Sequence, residues 1–310
     1  MDKKTININP LESIILIGVM TVLGIFGLGY VPYVLFFPAV FTIFSIKNGV
    51  KSGIVHILVI FTLIGLIQSF DLGIFLLIII LPISLILTYM INKRRSSMET
   101  IVITMIVFFI LILLILKFVE TQGINFMDLL KEGFNQTVSE QLKLYEDMDL
   151  SSLEMFERKN LLENTYNYIL SIMPAVLLII SLIVGYLNYL LTVLGLRKMK
   201  IKAVKVPKFS RFRLTRNIIP VIVIILLASF FIEATDEYYG IILNLIALAG
   251  FVFFIQGLSV VDYFLKRKTV GLFLRVIIYF FSLFIAPIIT LLGSIDAVFN
   301  FRKIKTSRPL

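Results

Sequence analysis

Long apolar runs alternate with short polar turns along most of the chain, which is the pattern of a protein built from membrane-spanning helices. Most runs approach the roughly 20 residues that a helix needs to cross the hydrocarbon core of a bilayer. We predict spans at 12–28, 32–46, 53–68, 72–91, 100–119, 168–196, 217–231, 239–265 and 270–299. The predicted fold is an all-α polytopic transmembrane bundle, with six spans in an N-terminal part (1–196) and additional helices after it.

The last apolar run, Val270–Phe299, is too long for one straight span. As a helix it would rise about 45 Å, against a hydrocarbon core of about 30 Å. Two shorter helices broken near Ala286 and Pro287 would return the basic residues after 300 to the side on which the run began. We favour this hairpin over a single tilted span.

The segment 120–167 differs in composition and is predicted to lie outside the membrane. It contains ten acidic and four basic residues and is long for a simple connection. Phe126, Leu130 and Phe134 recur every fourth residue, so they lie along one helix face. We predict a helical hairpin on the outer membrane face with its apolar side down. It serves either as a solvated connector or as a lid over a cavity.

Residues 197–216 form a basic block between two apolar runs. Nine Lys or Arg residues and no acid lie within this block. Short loops rich in Lys and Arg stay on the cytoplasmic side of a membrane. The block therefore predicts a cytoplasmic linker between the N-terminal spans and the C-terminal helices of 217–310. Because most other basic residues then fall on the same side, both termini are predicted to be cytoplasmic in a bacterial inner membrane.

Composition supports a membrane protein and excludes several kinds of chemistry. The chain is 59% hydrophobic, its mean hydropathy is +1.02, and only 15% of its residues are charged. The net charge of +10 comes from basic span ends, so it indicates contact with anionic membrane lipids and not with nucleic acid. With no Cys, a single His (His56) and no phosphate-binding glycine motif, we expect no metal site, no cofactor and no enzymatic activity.

Charged residues near the predicted cytoplasmic ends of the last segments are candidate functional groups, because ionisable side chains inside a membrane are energetically costly. They are Asp262, Arg275, Asp296 and Arg302. The hairpin would place Arg275 and Asp296 at similar depth, where they could pair. The cluster serves either as a structural set of ion pairs that holds the C-terminal helices or as a proton or ion relay.

A solute site would open on the outer side, and polar or aromatic residues at outer span ends are its candidates. They are Tyr30, Tyr33, Gln68, Asp71, Glu120 and Tyr166. The alternative for each is a place in a turn or in the interfacial layer that Tyr favours. Three amides within spans, Asn188, Asn244 and Gln256, are expected to join helices by hydrogen bonds.

Several short segments resemble the YybS-like family of bacterial membrane proteins. They are Val206-Pro207-Lys208-Phe209, Gln256-Gly257-Leu258-Ser259-Val260-Val261-Asp262-Tyr263-Phe264, and Leu292-Gly293-Ser294-Ile295-Asp296 with the following Phe299-Asn300-Phe301-Arg302-Lys303. The resemblance extends over nearly the whole chain. It implies an inner-membrane protein of a family that is defined without a known activity.

Residues 11–196 are also similar to the substrate-binding S components of energy-coupling-factor transporters. The similarity rests on a Gly-rich first helix, a Pro-interrupted second helix, and the turn Gly49-Val50-Lys51-Ser52-Gly53-Ile54 that opens the third. It implies a six-helix domain that captures a vitamin or a metal ion from outside. It also implies a separate transmembrane coupling subunit with ATPases as partners.

Three functional hypotheses follow from these patterns. The first is a small-solute-binding membrane transport component with the connector as its lid. The second is a non-transporting membrane scaffold for envelope or developmental proteins, which uses the outer hairpin and the basic block as docking surfaces. The third, a membrane-embedded enzyme, is the least favoured because the chain offers few catalytic groups.

Overall fold

The computed structural model of the chain describes residues 9–26, 35–146, 152–201, 208–214, 218–233 and 238–304, and within these ranges it is helical without strands. The helices are α1 (Pro10–Phe26), α2 (Phe37–Asn48), α3 (Val50–Ile67), α4 (Phe70–Asn92), α5 (Ser97–Thr121), α6 (Phe126–Glu146), α7 (Ser152–Ser171), α8 (Met173–Lys198), α9 (Ile218–Ala228), α10 (Tyr239–Arg267), α11 (Leu272–Ser282) and α12 (Ala286–Phe299). A 3₁₀ turn, Phe209–Arg211, precedes α9. The predicted all-α fold is confirmed.

Several of these helices have the length and composition of membrane spans. Among the described residues, α3, α4, α5, α8 and α10 are each long and apolar enough to cross a membrane, and α11 with α12 qualifies as a bent pair. Large apolar side chains such as Phe231 and Phe273 are more than four-fifths exposed on the surface. A soluble protein rarely exposes so much apolar surface, so these side chains contact lipid.

The chain divides into two compact units. The first unit contains residues 1–118 and 180–206, and the second contains residues 119–179 and 207–310. The first unit therefore includes α1 to α4, nearly all of α5 and most of α8, which are six helices. The predicted boundaries at 196 and 217 divide the chain differently and stay a prediction.

Asn188 joins α8 to the start of α2 in the first unit, as its place in an apolar run predicted. Its fully buried side chain accepts a hydrogen bond from the Ala39 amide (3.0 Å) and donates to the carbonyl oxygens of Leu35 (2.8 Å) and Val184 (2.9 Å). The first amides of a helix have no partner within the helix. Asn188 therefore supplies the hydrogen-bond acceptor that the Ala39 amide of α2 lacks within its own helix, at a buried position without water.

We expect Asn188→Leu to lower the free energy of unfolding by about 1–3 kcal/mol, because it leaves the Ala39 amide and the Leu35 carbonyl buried without a partner. Thr192→Val is the matched control, since Thr192 is equally buried on α8 and its hydroxyl has no partner among the described residues. Denaturant unfolding in detergent measures both. An equal loss in the two variants would contradict the role of Asn188.

The predicted connector is helical, but its second helix extends further than expected. α6 and α7 pack against each other, and α7 continues to Ser171, so the next span begins at Met173 instead of Tyr168. Pro174 lies in the first turn of α8, where a missing N–H is tolerated. Asn244 of α10 bonds to both sides of the break between α7 and α8. Its side chain donates to Ser171 O (2.6 Å) and accepts from Ala175 N (2.8 Å).

The last apolar run is broken where Ala286 and Pro287 predicted a break. α11 ends at Ser282, α12 begins at Ala286, and the two helices are bent by 104°. α12 runs in the same direction as α10, because Gly293 packs on Gly257 and Phe301 stacks on Phe264 with ring centres 6.5 Å apart. The run therefore begins and ends at the same end of α10, which supports the hairpin over a single span.

Candidate functional site

Buried charged side chains at the shared end of α10 and α12 form the candidate site, but their pairing differs from the prediction. Arg275 pairs with Asp262 (Nη1 to Oδ1, 3.1 Å), and Arg302 pairs with Asp296 (Nη2 to Oδ2, 2.7 Å). The predicted pair of Arg275 with Asp296 is therefore wrong. That prediction rested on the similar depth of the two residues in the membrane. In the structure, Arg275 on α11 faces Asp262 on α10. The turn after α12 folds back, so that Arg302 reaches Asp296 on α12.

A tight turn after α12 places Arg302. Asn300 adopts the left-handed backbone conformation (φ 47°), which Asn tolerates better than most residues. Its side chain accepts from Ile304 N (3.0 Å) and donates to Ile304 O (3.2 Å), so the turn is fixed from both sides. The chain consequently folds back, and the Arg302 guanidinium reaches Asp296 within the helix.

The Arg302 guanidinium has an acceptor for every one of its nitrogen atoms. Nε and Nη2 donate to Asp296 Oδ2 (3.1 and 2.7 Å). Nη1 donates to Ser259 Oγ (2.8 Å) and Ser210 O (3.0 Å), and Nη2 also donates to Phe212 O (2.9 Å). Both side chains of the ion pair are fully buried. Additional hydrogen bonds lower the cost of a buried ion pair. Those of Arg302 satisfy the cation, whereas the other carboxylate oxygen of the pair, Asp296 Oδ1, has no partner among the described residues.

We define the clamp as the four buried side chains of Gln256, Ser259, Asp296 and Arg302. The clamp binds the backbone of the docked segment, which we define as Lys208–Leu214, one of the two described parts of the basic block. Ser259 Oγ donates to Phe209 O (2.7 Å), and Gln256 Oε1 accepts from Leu214 N (3.1 Å). Together with the two carbonyl contacts of Arg302, these bonds hold the docked segment in one conformation.

Asp262 is the centre of a second polar group on the same helix. Its carboxylate is 1% exposed and accepts from Lys266 Nζ (2.6 Å), from Arg275 and from the Tyr279 hydroxyl. Tyr279 also packs edge-on against Phe209 of the docked segment, with ring centres 6.3 Å apart. The second group therefore connects α10 and α11 to the docked segment that the clamp binds.

We expect Arg275→Gln to destabilise the protein more than Lys266→Gln. The Arg275 side chain is 15% exposed, and its loss removes a charged hydrogen bond to a buried carboxylate, which is worth about 1.5–3 kcal/mol. The Lys266 side chain is 40% exposed, and pairs of that kind contribute less than about 1 kcal/mol. Denaturant unfolding of the two variants tests this order, and the reverse order would contradict it.

The surface around the docked segment is basic. Within 208–214, 256–275 and 296–304, both acidic residues are buried and paired. The exposed charged residues of these ranges are Lys208, Arg211, Lys266, Arg267, Lys268 and Lys303. A surface of one charge sign attracts ligands of the opposite sign and speeds their association.

The predicted solute-site residues of the first unit lie at a surface turn. Gln68 and Asp71 flank the turn between α3 and α4, and both are exposed. The apolar cavity beside this turn has a volume of about 50 Å³. Pockets that bind small molecules usually enclose about 300–1,000 Å³. Tyr30 and Tyr33 lie outside the described residues.

The predicted solute-site residues of the second unit are Glu120 and Tyr166. Glu120 is exposed near the end of α5. Tyr166 of α7 stacks on Phe134 of α6 with ring centres 3.8 Å apart, and burial together with the Asp128 carboxylate raises the pKa of the Tyr166 hydroxyl. A recess of about 500 Å³ on this hairpin is lined by α6 alone and is open to the surface. Tyr166 thus joins two helices of the connector.

Sequence reasoning missed Ser259, Tyr279 and the docked segment. Tyr279 lies four residues after Arg275, so the two share one face of α11. Ser259 lies three residues before Asp262 on α10, and the same rule could have found it. The docked segment left no comparable signal, because the clamp binds backbone groups that every sequence carries.

These features define a polytopic α-helical membrane protein. The chain belongs to the family described as "Predicted membrane protein (DUF2232)", whose model matches residues 13–297. It is similar to a Bacillus subtilis (strain 168) protein named "Uncharacterized protein YybS", with 23% identity over 304 residues, 94% of this chain and 96% of the relative. The resemblance to the YybS-like family is therefore confirmed. No solved structure matches the chain.

Proposed function

We propose that this chain is a membrane-embedded interaction protein that presents a basic surface of fixed shape to an acidic partner protein. The observation that carries the proposal is the clamp, which binds the backbone of the docked segment and leaves the side chains of Lys208 and Arg211 exposed. A surface that is ordered before binding avoids the entropy loss of ordering it on binding. The role is that of a scaffold, without catalysis.

The cytoplasm is the proposed location of this basic surface. The docked segment belongs to the basic block, and Lys266 to Lys268 and Lys303 lie at the ends of the helices beside it. Basic residues of this kind stay on the cytoplasmic side during insertion. We therefore place the protein in a bacterial inner membrane with both termini in the cytoplasm.

Photo-crosslinking in native membranes tests the proposal. A photoreactive residue at Phe212, beside the exposed bases, is expected to give a discrete adduct with an acidic protein. The double change Lys208→Glu with Arg211→Glu should reduce its yield at least tenfold. The matched control, Lys93→Glu with Arg95→Glu, makes the same change of charge in the exposed turn after α4 and should leave the adduct intact.

Reconstitution with the purified partner completes this test. Binding is expected to weaken with increasing salt, because exposed charges are screened at high ionic strength. An adduct that both charge reversals reduce equally, or one that neither reduces, would contradict a docking role for this surface.

A solute-binding transport component is the second candidate, and one observation favours it. The first unit groups six helices, which is the number that the similarity to S components of energy-coupling-factor transporters implies. In this role the protein would need a transmembrane coupling subunit with ATPases as partners, and the cavity beside Gln68 and Asp71 would have to open.

Thermal unfolding with a panel of vitamins, metal ions and nucleobases tests the transport role. A ligand that binds only the folded protein stabilises it by about 2.7 kcal/mol at a hundredfold excess over its dissociation constant. A shift that Gln68→Ala, Asp71→Ala or Glu120→Ala abolishes would support a solute site, and no shift across the panel would oppose it.

A further inference from the structure

Arg213 of the docked segment has two hydrogen-bond donor atoms for which the described residues offer no acceptor. Its Nη1 donates to Ile304 O (3.2 Å), whereas Nε and Nη2 are buried and have no partner in the described part of the chain. A buried polar atom without a partner is energetically costly, and a charged one more so. This contrasts with Arg302, whose nitrogen atoms all have acceptors.

The two free nitrogen atoms of Arg213 form one edge of the planar guanidinium. On this edge the Nε and Nη2 hydrogens point in parallel, and they match two oxygen atoms of a phosphate or carboxylate group. We infer that this edge of Arg213 binds a phosphate group, and that the phosphate belongs to the headgroup of an anionic phospholipid. The inference goes beyond the proposed function, because Arg213 is separate from the exposed bases that would dock a protein.

The surroundings of Arg213 favour an anion. Within 208–214, 256–275 and 296–304 there are two acids, and each is already paired with an arginine. The basic residues of these ranges are Lys208, Arg211, Arg213, Lys266, Arg267, Lys268, Arg275, Arg302 and Lys303. The unpaired positive charge that remains would attract a phosphate group to this end of the helices.

Apolar side chains nearby favour a lipid as the source of the phosphate. Ile304, whose carbonyl Arg213 binds, follows the tight turn after α12, and the last two residues of that helix, Val298 and Phe299, are 53% and 74% exposed. A phospholipid would place its phosphate on Arg213 and its acyl chains on these side chains. Inorganic phosphate has no apolar part that would cover them. The cytoplasmic leaflet is also rich in anionic lipids.

Native mass spectrometry of the full chain in detergent tests the inference, with phosphatidylglycerol and phosphatidylcholine as probes. The wild-type protein is expected to retain phosphatidylglycerol about tenfold better, since paired hydrogen bonds to a charged group carry at least that difference. Arg213→Gln should abolish the preference. Arg213→Lys keeps the charge but loses the parallel donors, so it should lose most of the preference.

Arg211→Gln is the matched control, because it makes the same change of charge at an exposed residue two positions away. It should keep the preference. An equal loss in Arg211→Gln, or an unchanged preference in both Arg213 variants, would overturn the site. Inorganic phosphate alone is the second arm: if it binds through Arg213 and displaces phosphatidylglycerol at millimolar concentration, the lipid assignment is overturned. Failure of either arm leaves the crosslinking test of the protein partner unaffected.

Discussion

Arg302→Met is expected to lower the free energy of unfolding by about 3–5 kcal/mol, the largest effect of any single substitution at the site. The change leaves the fully buried Asp296 carboxylate without its cation, and breaking a buried pair from one side has a cost of that order. It also removes the donors to Ser210 O and Phe212 O. Denaturant unfolding in detergent measures the loss.

Two further variants show whether the loss of stability comes from the unpaired Asp296 carboxylate. Lys303→Met is the matched control, since Lys303 is the exposed neighbour of Arg302, and its removal should change stability by less than about 0.5 kcal/mol. The double variant Arg302→Met with Asp296→Leu should recover much of the loss, because an apolar pair can replace a buried ion pair at little cost. A double variant as unstable as the single one would indicate that the docked segment, and not the unpaired carboxylate, dominates the effect.

Gly257→Ala is expected to destabilise the protein by about 3 kcal/mol, at the upper end of overpacking effects. α10 and α12 cross at Gly257 and Gly293, where the Cβ of an alanine at 257 would overlap the Ile289 carbonyl. Because that carbonyl is part of a helix backbone, it cannot rotate away as a side chain would. The two helices would have to separate, and the clamp lies between them.

Gly250→Ala is the matched control on the same helix, because no atom lies within 4 Å of the position of its Cβ. It should leave stability unchanged or raise it by up to about 1 kcal/mol, since alanine favours the helix more than glycine does. Equal effects of the two substitutions would show that α10 and α12 do not pack as closely as described.

The features that the sequence predicted depend on the type of one residue and on the residues next to it in the sequence. Asn188, Asn244 and Gln256 stand in apolar runs where an amide must find a partner, and each joins helices in the structure, Gln256 by donating to Asp296 of α12. The break near Pro287 followed from the length of the run and from a residue that cannot continue a helix unstrained. Those predictions needed no knowledge of which helices are neighbours.

The features that the sequence did not predict depend on which neighbour a side chain faces. Depth along the membrane suggested a pair of Arg275 with Asp296, but rotation about the helix axis assigns Arg275 to Asp262. Arg302 lies beyond the helix, and a left-handed residue at Asn300 decides where its side chain goes. The solute site stays a prediction. Gln68 and Asp71 are exposed at a surface turn, and exposure alone does not distinguish a solute site from an ordinary turn.

The measurement that tests the central claim most directly is hydrogen exchange of the docked segment in lipid nanodiscs. The amides of Arg211 and Phe212 bond within the 3₁₀ turn, and the amide of Leu214 bonds to Gln256. A segment fixed by the clamp should therefore exchange at least a hundredfold more slowly than an open loop, and Arg302→Met should abolish the protection. Rapid exchange in the wild-type protein would contradict the claim that the clamp fixes a basic surface.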